Sequence, residues 1–243
     1  MASTSEVGHA KNVANFHDLI SFCQGYGAPY NPSKPTLKIG ALQALETTAQ
    51  NSLAAVIPLR TAYNDAVNAR IQAFNGIKPL ATRLINALQS TDASVEKIAD
   101  AKSFNKKIQG GRSSATQTPV SPETPPPNTI SASQQSYDQI IQHFAGLISV
   151  LQSEPSYTPN EPDLTIASLN GRLALITQKN QDISDAYTSV DNGRIERDNI
   201  LYHIETGLVD RANEVKKYVK SIFGASSPQY AQVSALKFTN RRL

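Results

Sequence analysis

The run Tyr30-Asn31-Pro32-Ser33-Lys34-Pro35-Thr36-Leu37-Lys38-Ile39-Gly40-Ala41-Leu42 returns 127 positions later as Tyr157-Thr158-Pro159-Asn160-Glu161-Pro162-Asp163-Leu164-Thr165-Ile166-Ala167-Ser168-Leu169. Six of the 13 positions are identical, in the pattern Tyr-x-Pro-x-x-Pro-x-Leu-x-Ile-x-x-Leu. Helical periodicity alone does not generate the paired prolines, so the match marks an internal repeat. The likeness extends outward. Upstream, Phe16, Leu19 and Ile20 answer to Phe144, Leu147 and Ile148. Downstream, Ala62-Tyr63 answers to Ala186-Tyr187, and Asn68-x-Arg70-Ile71 to Asn192-x-Arg194-Ile195. Near the ends, Ala101 and Phe104 answer to Ala235 and Phe238, which leaves about ten extra residues between Ile195 and Val219 of the second copy.

Between the copies lies a Gly/Ser/Thr/Pro-rich stretch, 110–130, in which five of the chain's 14 prolines fall between Pro119 and Pro127. Proline lacks an amide donor and fixes its own backbone angle, so the stretch reads as an extended connector. A docking ligand for a proline-binding partner is the sharper alternative. The chain therefore divides into a first helical repeat (1–109), the linker (110–130) and a second helical repeat (131–243).

Each copy reads as helix. Short helices are expected over about 10–25 and 131–153, ended by Gly25, Gly27 and Pro29 in the first copy and by Pro155 in the second. Thr36 or Asp163 would then cap a long helix. In the second copy a seam at heptad spacing runs from Ile166 and Leu169 through Leu201, Ile204, Leu208 and Arg211 to Ile222. An unbroken helix over 163–223 would reach roughly 90 Å at about 1.5 Å per residue. Pro58 and Pro79 should kink the first copy, Gly193 and Gly207 soften the second, and Gly224 cap it, with short helices following at about 93–103 and 227–236. Period-two alternation is missing. The expected fold is an elongated all-α bundle with coiled-coil character, its two pseudo-equivalent halves packed as one body so that each hides the apolar stripe of the other.

Two further stretches carry a family resemblance. Lys220-Ser221-Ile222-Phe223-Gly224-Ala225-Ser226-Ser227-Pro228-Gln229-Tyr230, followed by Leu236-Lys237-Phe238, is similar to the C-terminal signature of uncharacterised all-helical proteins of Bacteroidetes-type bacteria. Asp100-Ala101-Lys102 and Asn105-Lys106-Lys107-Ile108-Gln109-Gly110 resemble their mid-chain signature. The resemblance covers most of the chain. It implies a bacterial, cytoplasmic, helical protein, and it implies no activity.

Composition narrows the function classes. With 40% hydrophobic residues in 243, the chain is too apolar to be wholly disordered. One cysteine, Cys23, excludes a disulfide scaffold and a Cys-based zinc site. A net charge of +3 is too small to argue for nucleic acid by itself. Neither a signal-peptide pattern nor an apolar stretch of about 20 residues is present, so a cytoplasmic protein is expected.

Patterns that carry chemistry are sparse. No two of His9, His17, His143 and His203 stand three or four residues apart, as a helical metal pair would. His17 and His143 occupy near-equivalent places on the first helix of each copy. Glu-x-x-His, Gly-x-x-x-x-Gly-Lys and Gly-x-Ser-x-Gly are all missing. No catalytic residue, metal or cofactor is expected. The carboxylates of the second copy, Asp210 and Glu214 among them, read as a solvated face.

Two candidate sites stand out. Arg70 and Arg194 are repeat equivalents on the apolar stripe, and Arg197 and Arg211 extend the pattern. Such arginines either fix register and snorkel outward, or form an anion or partner site. Both copies also end in basic residues: Lys102, Lys106, Lys107 and Arg112, then Lys237, Arg241 and Arg242, with Phe104 and Phe238 among them. Three or four charges per strip would give weak, salt-sensitive polyanion binding. The leading expectation is a non-enzymatic helical scaffold that binds another protein or itself, with Ile71 and Ile195 as unused stripe surface. A weak nucleic-acid or polyanion binder is the alternative. A membrane-active rod is a third class, but no segment suits a bilayer.

Overall fold

The computed structural model describes residues 8–110 and 135–240. Among them are eight α-helices, two 3₁₀ turns and no strand, so the fold is all-α. The helices are α1 (His9–Gly25), α2 (Ile39–Phe74), α3 (Ile77–Gln89), α4 (Val95–Gln109), α5 (Tyr137–Gln152), α6 (Ile166–Tyr202), α7 (Leu208–Phe223) and α8 (Pro228–Ala235). The linker beyond Gly110 lies outside the described residues.

The two proline motifs take the same backbone form. Both proline motifs form a 3₁₀ turn, Pro35–Leu37 and Pro162–Leu164. Their flanking residues match closely: Lys34 has φ −71° and ψ 116°, Glu161 −71° and 118°. In each motif the buried tyrosine spans the turn and donates to a leucine carbonyl, Tyr30 Oη to Leu37 O at 2.8 Å and Tyr157 Oη to Leu164 O at 2.9 Å. The 3₁₀ turn moves the start of each long helix past the expected caps. Thr36 and Asp163 fall inside the turns, and Thr165 takes the cap position of α6, its hydroxyl accepting from the Ser168 amide at 3.3 Å.

The expected long helices are broken. The first copy breaks at Asn75-Gly76, where Gly76 takes φ +80°, a left-handed conformation that favours glycine. Pro79 then sits in the first turn of α3, where a missing amide costs no helical bond. Pro58 lies within α2, which runs through it. The second copy breaks at 203–207, with Glu205 at φ 68°. Asp210 accepts from the Glu205 amide at 2.8 Å and the Arg211 guanidinium donates to the Glu205 carbonyl, so two side chains expected on a solvated face and a seam instead clamp a turn. The heptad register stops here: Ile204, expected in the seam, is 76% exposed. Gly224 ends α7 at φ +89°, as expected of a capping glycine.

By contacts the chain forms two compact units, and they do not coincide with the two repeats. One comprises Met1–Asn64 with Ala186–Leu243, the other Asp65–Asp185. Each unit joins the front of one copy to the back of the other. The reason is helix continuity: α2 passes from one unit into the other at Asn64, and α6 does so at Asp185. In the first unit, Phe16, Leu19 and Leu42 from the first copy bury with Leu208, Val215 and Val219 from the second. In the other, Phe144, Leu147 and Leu169 bury with Ile77, Leu84 and Leu88. The stripes Ile77/Ala81/Leu84/Leu88 and Leu208/Ala212/Val215/Val219 share one spacing, so α3 and α7 play one role in the two cores.

α5 packs closely on α4 at Gly146. A Cβ built on Gly146 would stand 2.3 Å from Cε1 of the Phe104 ring. Glycine costs a helix interior about 1 kcal/mol relative to alanine, yet overpacking costs about 1–3 kcal/mol. Gly146→Ala is therefore expected to lose up to about 2 kcal/mol of stability in urea unfolding, against the gain that propensity alone would give.

Candidate functional site

The seam arginines diverge. Arg70, in the unit Asp65–Asp185, lies with its guanidinium carbon 3.9 Å from the centroid of the Tyr137 ring. Its Nη1 donates to Asn180 Oδ1 at 3.2 Å, and Asn180 Nδ2 donates to Asp138 Oδ1 at 2.7 Å. Phe74 meets the same tyrosine edge-on at 4.7 Å. Arg70 Nε is buried with no hydrogen-bond partner among the described residues. Arg194 belongs to the other unit and is exposed. The position that answers to Asn180 there is Val56, by the spacing that relates Arg70 to Arg194, and an apolar side chain offers a guanidinium nothing. The arginine thus locks Tyr137 and the start of α5 onto α2 and α6 in one unit only.

The counterpart of the Phe74–Tyr137 pair, by the same repeat spacings, is Asp198 with His9. There a polar cluster replaces the aromatic one. His9 Nδ1 lies 3.6 Å from Asp198 Oδ1 and 2.8 Å from Tyr202 Oη, and Arg197 Nη2 donates to Asp198 at 2.7 Å. Asn12 joins it: Nδ2 donates to the Thr239 carbonyl at 2.8 Å, and Oδ1 accepts from the Thr239 amide at 3.0 Å. Asn15 Nδ2 donates to the Lys237 carbonyl at 2.6 Å. These asparagines sit on the buried face of α1 and staple the C-terminal segment to it. The sequence reading passed over them, although two asparagines beside Val13 and Phe16 on an apolar face were a usable signal.

The basic ends separate. Lys102, Lys106 and Lys107 are exposed on α4, with Lys107 Nζ 5.6 Å from the Phe104 centroid. Lys237 is exposed in the other unit, its backbone tied down by Asn15. Beside it Lys216 Nζ lies 4.9 Å from the Phe238 ring centroid. Arg112, Arg241 and Arg242 lie outside the described residues.

Two related clefts form where the long helices break. One, open and of about 600 Å³, is lined by Asn75, Gly76, Arg83, Asp163, Ser168 and Arg172 among others. Arg83 and Asp163 pair in it through two hydrogen bonds, at 2.5 and 3.3 Å, and Arg172 donates to the Asn75 carbonyl at 2.7 Å. The guanidinium bond holds the Asp163 carboxyl below the usual carboxylate range. The Ser168 hydroxyl is directed to the Pro162 carbonyl at 2.6 Å. The other cleft, of about 380 Å³, is lined by Leu45, Thr48, Asn199, Ile200, His203 and Thr206. Leu45 holds the place that Arg172 holds in the first. One cleft has become charged and the other apolar.

Two further titratable groups, Cys23 and His143, are buried. Burial pushes the Cys23 thiol up to about 12, far above the range of a reactive thiolate. His143 answers to Asn15, not to His17, since Phe144 and Phe16 are the equivalent core residues. His143 is 7% exposed, and its Nε2 has no hydrogen-bond partner among the described residues. Burial, then the Lys107 charge, lowers its pKa below the usual imidazole value. No group of three or more candidate metal ligands occurs among the described residues. Comparison of the chain with protein-family models, curated proteins and solved structures finds no match.

Two outcomes follow from these environments. A histidine whose folded pKa is depressed favours the fold fully above its unfolded pKa, about 6.5, and progressively less as pH falls toward the folded value. The urea midpoint of the native chain should therefore drop between pH 7.5 and 5 by more than that of His143→Leu. Arg70→Ala should cost about 1–2 kcal/mol through the lost ring contact and hydrogen bond, whereas Arg194→Ala should stay within about 0.5 kcal/mol. Equal losses in urea unfolding would contradict this assignment.

Proposed function

We propose that the chain is a non-enzymatic helical scaffold of the bacterial cytoplasm that works by contact with other protein surfaces. The observation that carries this reading is the pair Ile71 and Ile195. They are repeat equivalents, they lie on different units, and each is 53% exposed. An isoleucine on an exposed helix face gains nothing in helix propensity over a lysine or glutamate, while fully burying one is worth about 1.5–3 kcal/mol. A duplicated apolar residue kept at solvent in both copies fits a contact that each copy makes. The buried, inert Cys23 suits a reducing compartment, and no described helix is long and apolar enough to cross a membrane.

The polyanion reading draws on the exposed Lys102, Lys106 and Lys107. Lys106 and Lys107 lie in the last turn of α4 and answer its dipole, so those two need no ligand.

Photo-crosslinking in the source cells separates the two. With a crosslinking residue at position 71 or 195, discrete protein adducts are expected; at position 102, none. Adducts to nucleic acid at position 102 with none at 71 or 195 would overturn the scaffold reading.

A further inference from the structure

We propose that the two proline motifs, with the seventh positions of α3 and α7, form a charge code that makes each half of the chain the matched partner of the other. The protein is in effect a heterodimer carried on one polypeptide.

The starting point is the exchange of segments. The front of the first copy shares a core with the back of the second, and the front of the second with the back of the first. Two identical copies could satisfy the same cores as a homodimer. Something must therefore distinguish the halves.

The apolar residues distinguish them poorly. Phe16 and Phe144, Leu42 and Leu169, and Ala81 and Ala212 are fully buried in equivalent places, identical in type. The charges distinguish them well. Between Tyr30 and Leu42 the first motif holds Lys34 and Lys38 and no acid. Between Tyr157 and Leu169 the second holds Glu161 and Asp163 and no base. The residues that face these motifs are Arg83 and Glu214, each the seventh residue of its helix. Arg83 pairs with Asp163 at 2.5 Å, and Glu214 with Lys34 at 2.7 Å.

Any homomeric pairing reverses both contacts. Two first halves would set Arg83 against Lys34 and Lys38. Two second halves would set Glu214 against Glu161 and Asp163. The other nearby cations are already engaged: Arg211 bonds to Glu214 and the Glu205 carbonyl on its own side, and Arg172 to the Asn75 carbonyl. Residues 1–118 carry 12 basic and 7 acidic groups, residues 119–243 carry 11 and 13, so the wider field favours the same mixed pairing. Single exposed ion pairs are weak, but specificity is a difference, and here attraction on one side meets repulsion on the other.

The test starts from the full chain with a protease site placed within 111–134. The folded protein is cut, unfolded in urea, refolded at low salt and read by native mass spectrometry. The ratio of heterodimer to homodimers should exceed its statistical value by about tenfold, equal to ~1.4 kcal/mol per dimer. The excess should shrink at high salt, because exposed charges are screened. Reversing one motif, by Lys34→Glu with Lys38→Glu, leaves as many matched contacts in homodimers as in heterodimers, so a statistical mixture is expected. Reversing both motifs, by adding Glu161→Lys and Asp163→Lys, should make homodimers prevail. Heterodimers that persist undiminished in that variant would show that apolar packing sets the pairing and would overturn the code. A readout that needs no refolding uses the uncut chain. Arg83→Glu should lower the urea midpoint, and Asp163→Arg added to it should recover at least half of the loss; no recovery also overturns the code.

Discussion

The structure depends on the continuity of two helices. α2 and α6 run 36 and 37 residues without interruption. Each begins in one unit and ends in the other, so the later part of each copy belongs to a different unit from its earlier part. Every core must then be completed by the other copy. The exchanged cores, the shared stripe of α3 and α7 and the crossed ion pairs at the proline motifs all follow from that constraint.

The duplicated parts show which positions were free to change. Tyr30 and Tyr157 make the same bond across the same turn, because a buried carbonyl at Leu37 or Leu164 needs a donor. Elsewhere equivalent places hold different chemistry: Leu45 against Arg172, Asn15 against His143, Phe74 with Tyr137 against Asp198 with His9. The first of these changes lies in the clefts and the last near helix ends, whereas Asn15 and His143 stand mid-helix on buried faces. Two units of one design thus present an apolar cleft and a charged one.

Much of this was legible in the sequence. Helix class and several helix ends follow from periodicity and from Gly25, Pro155 and Gly224. The exchange was not legible, because a stripe of leucine and isoleucine states that a face is buried and not which copy buries it. The break at 203–207 was missed for a related reason: Leu201, Ile204 and Leu208 keep heptad spacing across a turn, so periodicity continues where the helix does not. Of the candidate residues, Arg70 was recognisable as a polar residue on an apolar stripe. That Arg194 would stand in solvent depended on Val56, more than 130 positions away. The polar cluster at His9 is spread over both ends of the chain and leaves no local motif.

The division of the chain also orders its birth. Residues 65–185 form one uninterrupted stretch, so that unit has all its parts before residues 186–243 are made. The other unit joins residues from both ends; Asn12 waits for a partner 227 positions further on. Chains emerge at about 5–20 residues per second, and contacts so distant in sequence are slow to form. Phe16 and Leu19 of α1 therefore lack Leu208, Val215 and Val219, which complete their core, until those residues are made.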